Sequence, residues 1–217
     1  MQHILDAIQS GVFSPGEPNR YQGIFDALVN WGDHYLLLAD YASAKVLAIA
    51  FECNHCPTSQ LYEGRLEKLY ADYKDKGLTM VLINPNNPKS VRFDEMGYTD
   101  LSDSLADMKV RAKFRGITWP YLYDGETQAV SIKYGVVATP HIYLFDKDRK
   151  LQYQGRIDDN QREELVKSQD ARVALDAMFA GKPVPVQNTN AFGCTTKWMS
   201  KATGVEQEMA RIEAQIG

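Results

Sequence analysis

Three cysteines in 217 residues are too few to staple a small scaffold, and two of them, Cys53 and Cys56, lie only two residues apart. A second C-x-x-C and an H-x-x-x-H pair are both missing, so the pair does not read as half of a structural zinc site, which needs four ligands. No apolar run approaches the roughly 18 residues of a membrane span. The start, Met1-Gln2-His3-Ile4-Leu5-Asp6, lacks a charged region followed by an apolar one. The expectation is a soluble chain, cytoplasmic or, where a leader has been removed, periplasmic. Basic residues number 24 against 28 acidic ones and form no cluster, which argues against nucleic acid and anionic membranes as partners. What is present is a 44% hydrophobic composition, enough for one good core: a single domain with extensions.

The most informative stretch runs from Val46 to Gln60. Val46 to Phe51 is a continuous apolar run with the length of a strand buried on both faces, and it leads directly to Cys53 and Cys56. Beyond them Tyr62, Leu66, Leu69, Tyr70 and Tyr73 recur at helical spacing, with charged residues on the other faces. The C-x-x-C therefore stands where a strand hands over to a helix N-terminus, whose free N–H groups stabilise an anion. Cys53 is expected to gain most from this as the attacking thiolate, with Cys56 as the resolving thiol. Pro57 suits a first helical turn, and a protonated His55 would favour the thiolate further.

Around this stretch, Ile4, Leu5 and Ile8 suggest a short helix in a peripheral extension over 1–20. Segments near Ile24 to Trp31 and Tyr35 to Leu38 suggest a hairpin. Leu78 to Ile83 reads as a second buried strand, parallel to the first across the helix. An excursion loop is expected over 89–100. Next comes a helix marked by Leu101, Leu105, Met108 and Ala112, capped by Thr99 or Asp100 and closed near Gly116. Trp119 to Tyr123 reads as a strand and Ala129 to Tyr134 as a short helix stopped by Gly135. Pro140 opens an apolar strand, His141 to Phe145, an unusual position that a cis Thr139–Pro140 bond would explain. A turn at Asp146 to Arg149, a strand over Leu151 to Gly155 and a helix including Ala171, Leu175, Met178 and Phe179 follow. After Gly181-Lys182-Pro183 the chain reads as an extended tail, 183–217, with Cys194 and a final amphipathic helix over Val205, Met209, Ile212 and Ile216.

The motifs Phe51-Glu52-Cys53-Asn54-His55-Cys56-Pro57, Ile83-Asn84-Pro85-Asn86, Thr139-Pro140-His141, Gly155-Arg156-Ile157-Asp158-Asp159-Asn160, Gly181 to Pro185 and Gly193 to Trp198 together resemble the bacterial redoxin group of the thioredoxin superfamily. The resemblance spans roughly residues 24–199. It implies a thioredoxin-like α/β fold over 21–182, a central mixed sheet flanked by helices, with an N-terminal hairpin extension, a helical insertion and the C-terminal tail. It also implies roles: Cys53 as nucleophile, Cys56 as resolving thiol, His55 between them, Pro140 as a cis-proline facing the pair, and the Thr139 backbone open to an extended substrate. Thioredoxin's buried acid has no counterpart within Val46 to Phe51, and Glu52 is expected to point elsewhere. The histidine in the motif suggests a reduction potential above thioredoxin's, between about −270 and −120 mV.

The resulting expectation is a thiol–disulfide oxidoreductase without cofactor or bound metal. Its partners would be protein disulfides or dithiols and an external thiol donor, and the chain a monomer or dimer. Cys194 stands as a possible third redox thiol or an inert one. His141 reads as a structural histidine, and Asp158 and Asp159 as solvated or helix-capping residues. Two alternatives carry weight: a peroxiredoxin-type peroxidase, which lacks its usual residues ahead of Cys53, and a Sco-like copper chaperone that would gather Cys53, Cys56 and His141. A non-catalytic binding domain on the same scaffold is disfavoured by the retained cysteines.

Overall fold

The computed structural model describes residues 28–29, 35–36, 41–96, 99, 101–117 and 119–216. The expected helix at Ile4, Leu5 and Ile8 and the turn of the expected hairpin lie outside them. Of that hairpin, β1 (Leu28–Val29) and β2 (Tyr35–Leu36) pair antiparallel.

The apolar run forms β3 (Val46–Phe51), and all six of its residues are buried. It is followed by β4 (Leu78–Asn84) and β5 (Tyr121–Tyr123), the latter two residues shorter than its sequence suggests. A two-residue strand, β6 (Ala138–Thr139), precedes β7 (His141–Phe145) and β8 (Leu151–Gly155). The main sheet has the order β5-β4-β3-β7-β8, with β3, β4 and β5 parallel and β7 antiparallel to both of its neighbours. β3 is thus the middle strand. A strand covered on both faces must be apolar at every position, as this one is.

Five helices follow the expected pattern: α1 (Pro57–Tyr73), α2 (Leu105–Arg115), α3 (Ala129–Tyr134), α4 (Asp170–Phe179) and α5 (Ala202–Ile216). The stripe of α1, Tyr62, Leu66, Leu69 and Tyr73, is buried against Val46, Ala48 and Ala50 of β3 with Met108 of α2 and Leu175 of α4. Burying each such leucine is worth about 1.5–3 kcal/mol. The other sheet face, Leu47, Ile49, Phe51, Val81 and Ile83, is covered by Val130 and Tyr134 of α3. These two layers hold the end of β3, and hence the cysteines, between fixed walls. The architecture is the thioredoxin-like α/β fold, a mixed five-stranded sheet flanked by helices.

Local details depart from expectation. The segment expected as a loop carries two single 3₁₀ turns, Pro88–Ser90 and Phe93–Met96. The cap of α2 is Ser104, whose side chain accepts from the Asp107 N–H, because Leu101 to Asp103 are held by side-chain contacts elsewhere. Asp158 is not solvated: it is buried, accepts a 2.5 Å bond from the Tyr62 hydroxyl and pairs with Arg65 at 2.7 Å. Asp159 does stay near the surface, its carboxylate accepting the Lys167 N–H.

The largest difference is the tail. It returns to the sheet end as β9 (Cys194–Thr195), antiparallel to β6, with Thr139 opposite Cys194. Anchors follow it: the Lys197 N–H donates to Asn86 Oδ1, the Asn87 N–H to the Lys197 carbonyl, and Gln128 Nε2 to that same carbonyl. Two-residue strands have no periodicity of their own, so pairing of this kind depends on the surroundings. Beyond it α5 forms as expected.

Candidate active site

β3 ends at Phe51 and α1 starts at Pro57, leaving five residues to cross from sheet to helix. All five are buried, so their polar groups need partners within the protein. Asp103 supplies most of them. Its Oδ1 accepts the Asn54 N–H at 2.7 Å and the His55 N–H at 3.2 Å, while Oδ2 accepts His55 Nδ1–H at 2.5 Å and Asn86 Nδ2 at 2.8 Å. The Asn54 side chain donates to the Ser102 carbonyl. One buried carboxylate thereby clamps the dithiol loop, orients His55 and, through Asn86, reaches the tail. This residue was not singled out from sequence, since it lies 48 positions from His55 in a stretch without periodicity.

Cys53 Sγ lies 3.1 Å from Thr139 Oγ1 and 3.8 Å from Ser59 Oγ. Cys56 is the N-cap of α1: its Sγ accepts the Ser59 N–H at 3.4 Å and, as a thiol, donates to the Thr139 carbonyl at 3.4 Å. The Thr139–Pro140 peptide is cis. Cys53, His55, Cys56, Thr139 and Pro140 are therefore gathered at one end of the sheet, and Cys194 joins them from the tail. All three cysteines are free thiols. Cys56 is the middle sulfur, interacting with Cys53 on one side and Cys194 on the other.

The three thiols sit in unequal electrostatic surroundings. Burial pushes the Cys53 thiol well above its ordinary value, and the adjoining Cys56 thiol adds to the rise. Cys56 is held well below that value, first by the Cys194 and Cys53 thiols and then, against the effect of burial, by the N–H groups of Ser59 and Cys194. The first-turn donors of α1 reach Cys56 because the helix begins immediately after it. Cys194 is pushed up, chiefly by Cys56 beside it.

Glu52 also departs from expectation. It is buried and lines a cavity of about 20 Å³ together with Cys53, Trp119 and Tyr121. Burial raises its carboxyl well above the usual range, only partly offset by the Ser59 hydroxyl, and neither carboxylate oxygen has a well-formed hydrogen bond. A buried acid therefore stands one residue past the end of β3, which has none of its own.

His141 is buried, with Nδ1 3.2 Å from the Tyr143 hydroxyl, and burial lowers it to about 3. Among the described residues the cluster close enough to share an ion is Cys53, His55 and Asp103, within 4.8 Å of one another; His141 is not in it. The copper trio of Cys53, Cys56 and His141 is therefore not assembled. The Asp103 oxygens already accept four N–H groups, a donor set committed to bracing the loop.

Sheet order, the C-x-x-C at the β3–α1 junction and the cis-proline opposite it define a thioredoxin-like protein with a dithiol site. More narrowly, the chain belongs to the Redoxin family, whose model matches residues 32–175. The crystal structure of an uncharacterized conserved protein from Geobacillus kaustophilus is similar at 37% identity and a TM-score of 0.67, covering 79% of this chain and 87% of that one. A hypothetical protein from Sinorhizobium meliloti 1021 is similar at 32% identity and a TM-score of 0.69, covering 80% of this chain and 90% of that one. The bacterioferritin comigratory protein of Xanthomonas campestris shares the fold at 16% identity and a TM-score of 0.50, over 77% of this chain and 96% of that one.

Proposed function

We propose that the protein is a thiol–disulfide oxidoreductase that exchanges disulfides with protein substrates through Cys53 and Cys56. The observation that carries this reading is the pair of free thiols at the head of α1, both in contact with Thr139 and faced by the cis-proline. One sulfur attacks a substrate disulfide, a mixed disulfide forms, and the other sulfur displaces the reduced product; the reverse sequence delivers a disulfide. Cys53, the first sulfur of the pair, acts as the attacker, and Cys56, whose Sγ accepts the Ser59 N–H, as the sulfur that resolves the mixed disulfide. Asp103 and His55 act as positioning residues that fix the loop between the two sulfurs.

The test is insulin-disulfide reduction with dithiothreitol, alongside ultraviolet titration of thiolate at 240 nm. Turnover should vanish in C53A and in C56A. A thiolate should persist below pH 8 in the reduced wild type and disappear in C56S. Insulin reduction unaffected by either alanine would end this reading, and peroxide consumption in its place would move the assignment to a thiol peroxidase.

A further inference from the structure

Three features of the tail point the same way. First, β9 occupies the edge of β6 by pairing Cys194 with Thr139, the backbone edge that the sequence reading left open for an extended substrate. Secondly, the approach is close. Gly193 has φ +147°, and a Cβ on it would lie 2.0 Å from the Thr139 carbonyl oxygen, so the strand is set down on the cis-proline loop at a distance that suits glycine. Thirdly, the side chain this strand delivers is a thiol, which meets Cys56 Sγ and the N–H of Thr58 at the start of α1. Exposure completes the picture. Cys53 is 3% exposed and Cys56 0%, whereas Cys194 is partly open to solvent.

We infer that the segment Gly193 to Thr195 is a built-in substrate strand, and that Cys194 exchanges disulfides with Cys56 and is the sulfur at which external thiols meet the site. The inference rests on the proposed oxidoreductase activity and names how electrons reach it. In the first step the Cys194 sulfur bonds to Cys56 Sγ and the Cys53–Cys56 bond breaks. The proton leaving Cys194 ends on Cys53, so one disulfide replaces another with no net oxidation. An external thiol then attacks Cys194, forming a mixed disulfide and releasing Cys56 as the thiolate that the Ser59 N–H receives. A second external thiol releases Cys194, with two thiols oxidised to one disulfide and Cys56 and Cys194 both reduced. Stabilised thiolates leave faster, which makes Cys56 the suitable leaving group.

The experiment uses the full chain. C53S and C53A, each treated with one equivalent of diamide, alkylated and peptide-mapped, should give the Cys56–Cys194 disulfide; two alkylated cysteines in both variants would overturn the inference. Oxidised wild type and C194S are then reduced by glutathione in a stopped-flow instrument. C194S should react at least tenfold more slowly, and an equal rate would overturn the relay. Insulin reduction separates the two readings. A wild type active on insulin whose C194S is reduced equally fast keeps the proposed function and loses the relay. A Cys56–Cys194 disulfide in a chain inactive on insulin keeps the exchange and loses the proposed function.

Discussion

Glu52 carries a buried carboxyl with neither oxygen in a well-formed hydrogen bond. That carboxyl lies beside Cys53, and its affinity for a proton is raised in the folded state. Such a group contributes fully below the unfolded carboxyl pKa, about 4.3, and that contribution is lost as pH rises through the folded value. E52Q should therefore leave urea stability unchanged near pH 4 and raise it by about 1–3 kcal/mol at pH 8, the scale of a buried polar group without a partner. Equal stabilisation at both pH values would show that charge is not the cause. The cysteines, Thr139 and Pro140 were legible from sequence because strand, C-x-x-C and helix stripe are contiguous, and a proline opening an apolar strand is conspicuous. The partners that set their chemistry were not. Asp103 and Asn86 act across 48 and 17 positions through a shared carboxylate, and no local pattern announces such a contact. Which sulfur caps α1 depends on where the helix begins, and a shift of one or two residues at a helix end lies below what periodicity resolves.

Elements with a strong period were read almost to the residue. β3, α3 and β8 begin and end where their apolar patterns do, and α1 buries the stripe picked out from its spacing. The tail escaped because its order is borrowed: β9 exists by virtue of the β6 edge, Asn86 and Gln128. A change at its hinge tests this. G193A places a methyl against the Thr139 carbonyl at a backbone angle that costs about 1–3 kcal/mol outside glycine. Since 1.4 kcal/mol is a factor of ten in an equilibrium, the strand should open about five- to a hundredfold more often. Alkylation of Cys56 by iodoacetamide should accelerate by the same factor. An unchanged rate would mean that the tail does not cover the site.

For the molecule as a whole, two apolar layers on a single sheet give one body. Among the described residues no helix is long and apolar enough to cross a membrane. The acid limb of its stability should carry the mark of His141. Burial lowers this imidazole to about 3 from an ordinary 6.5, so between those values the unfolded chain binds a proton that the folded one refuses. Its contribution is intact above pH 6.5 and is lost as pH falls toward 3, amounting to about 2 kcal/mol between pH 7 and 5. Urea midpoints of the wild type should fall across that interval, and those of H141Q should fall less by that amount. Parallel midpoints in the two proteins would place the histidine's proton elsewhere.

The sulfur that caps α1 is also, in the proposed exchange, a sulfur that becomes covalently bound in each round. Engaging Cys56 in a disulfide removes its charge from the Ser59 N–H, so every oxidation partly uncaps the helix and every reduction recaps it. Reciprocity then ties the redox poise to the conformational free energy of the first turn: whatever that cap contributes to the dithiol form appears as a stronger pull on electrons. The helix start is in this sense a spring wound by reduction, and substitutions at Pro57 or Ser59 are levers on oxidising power.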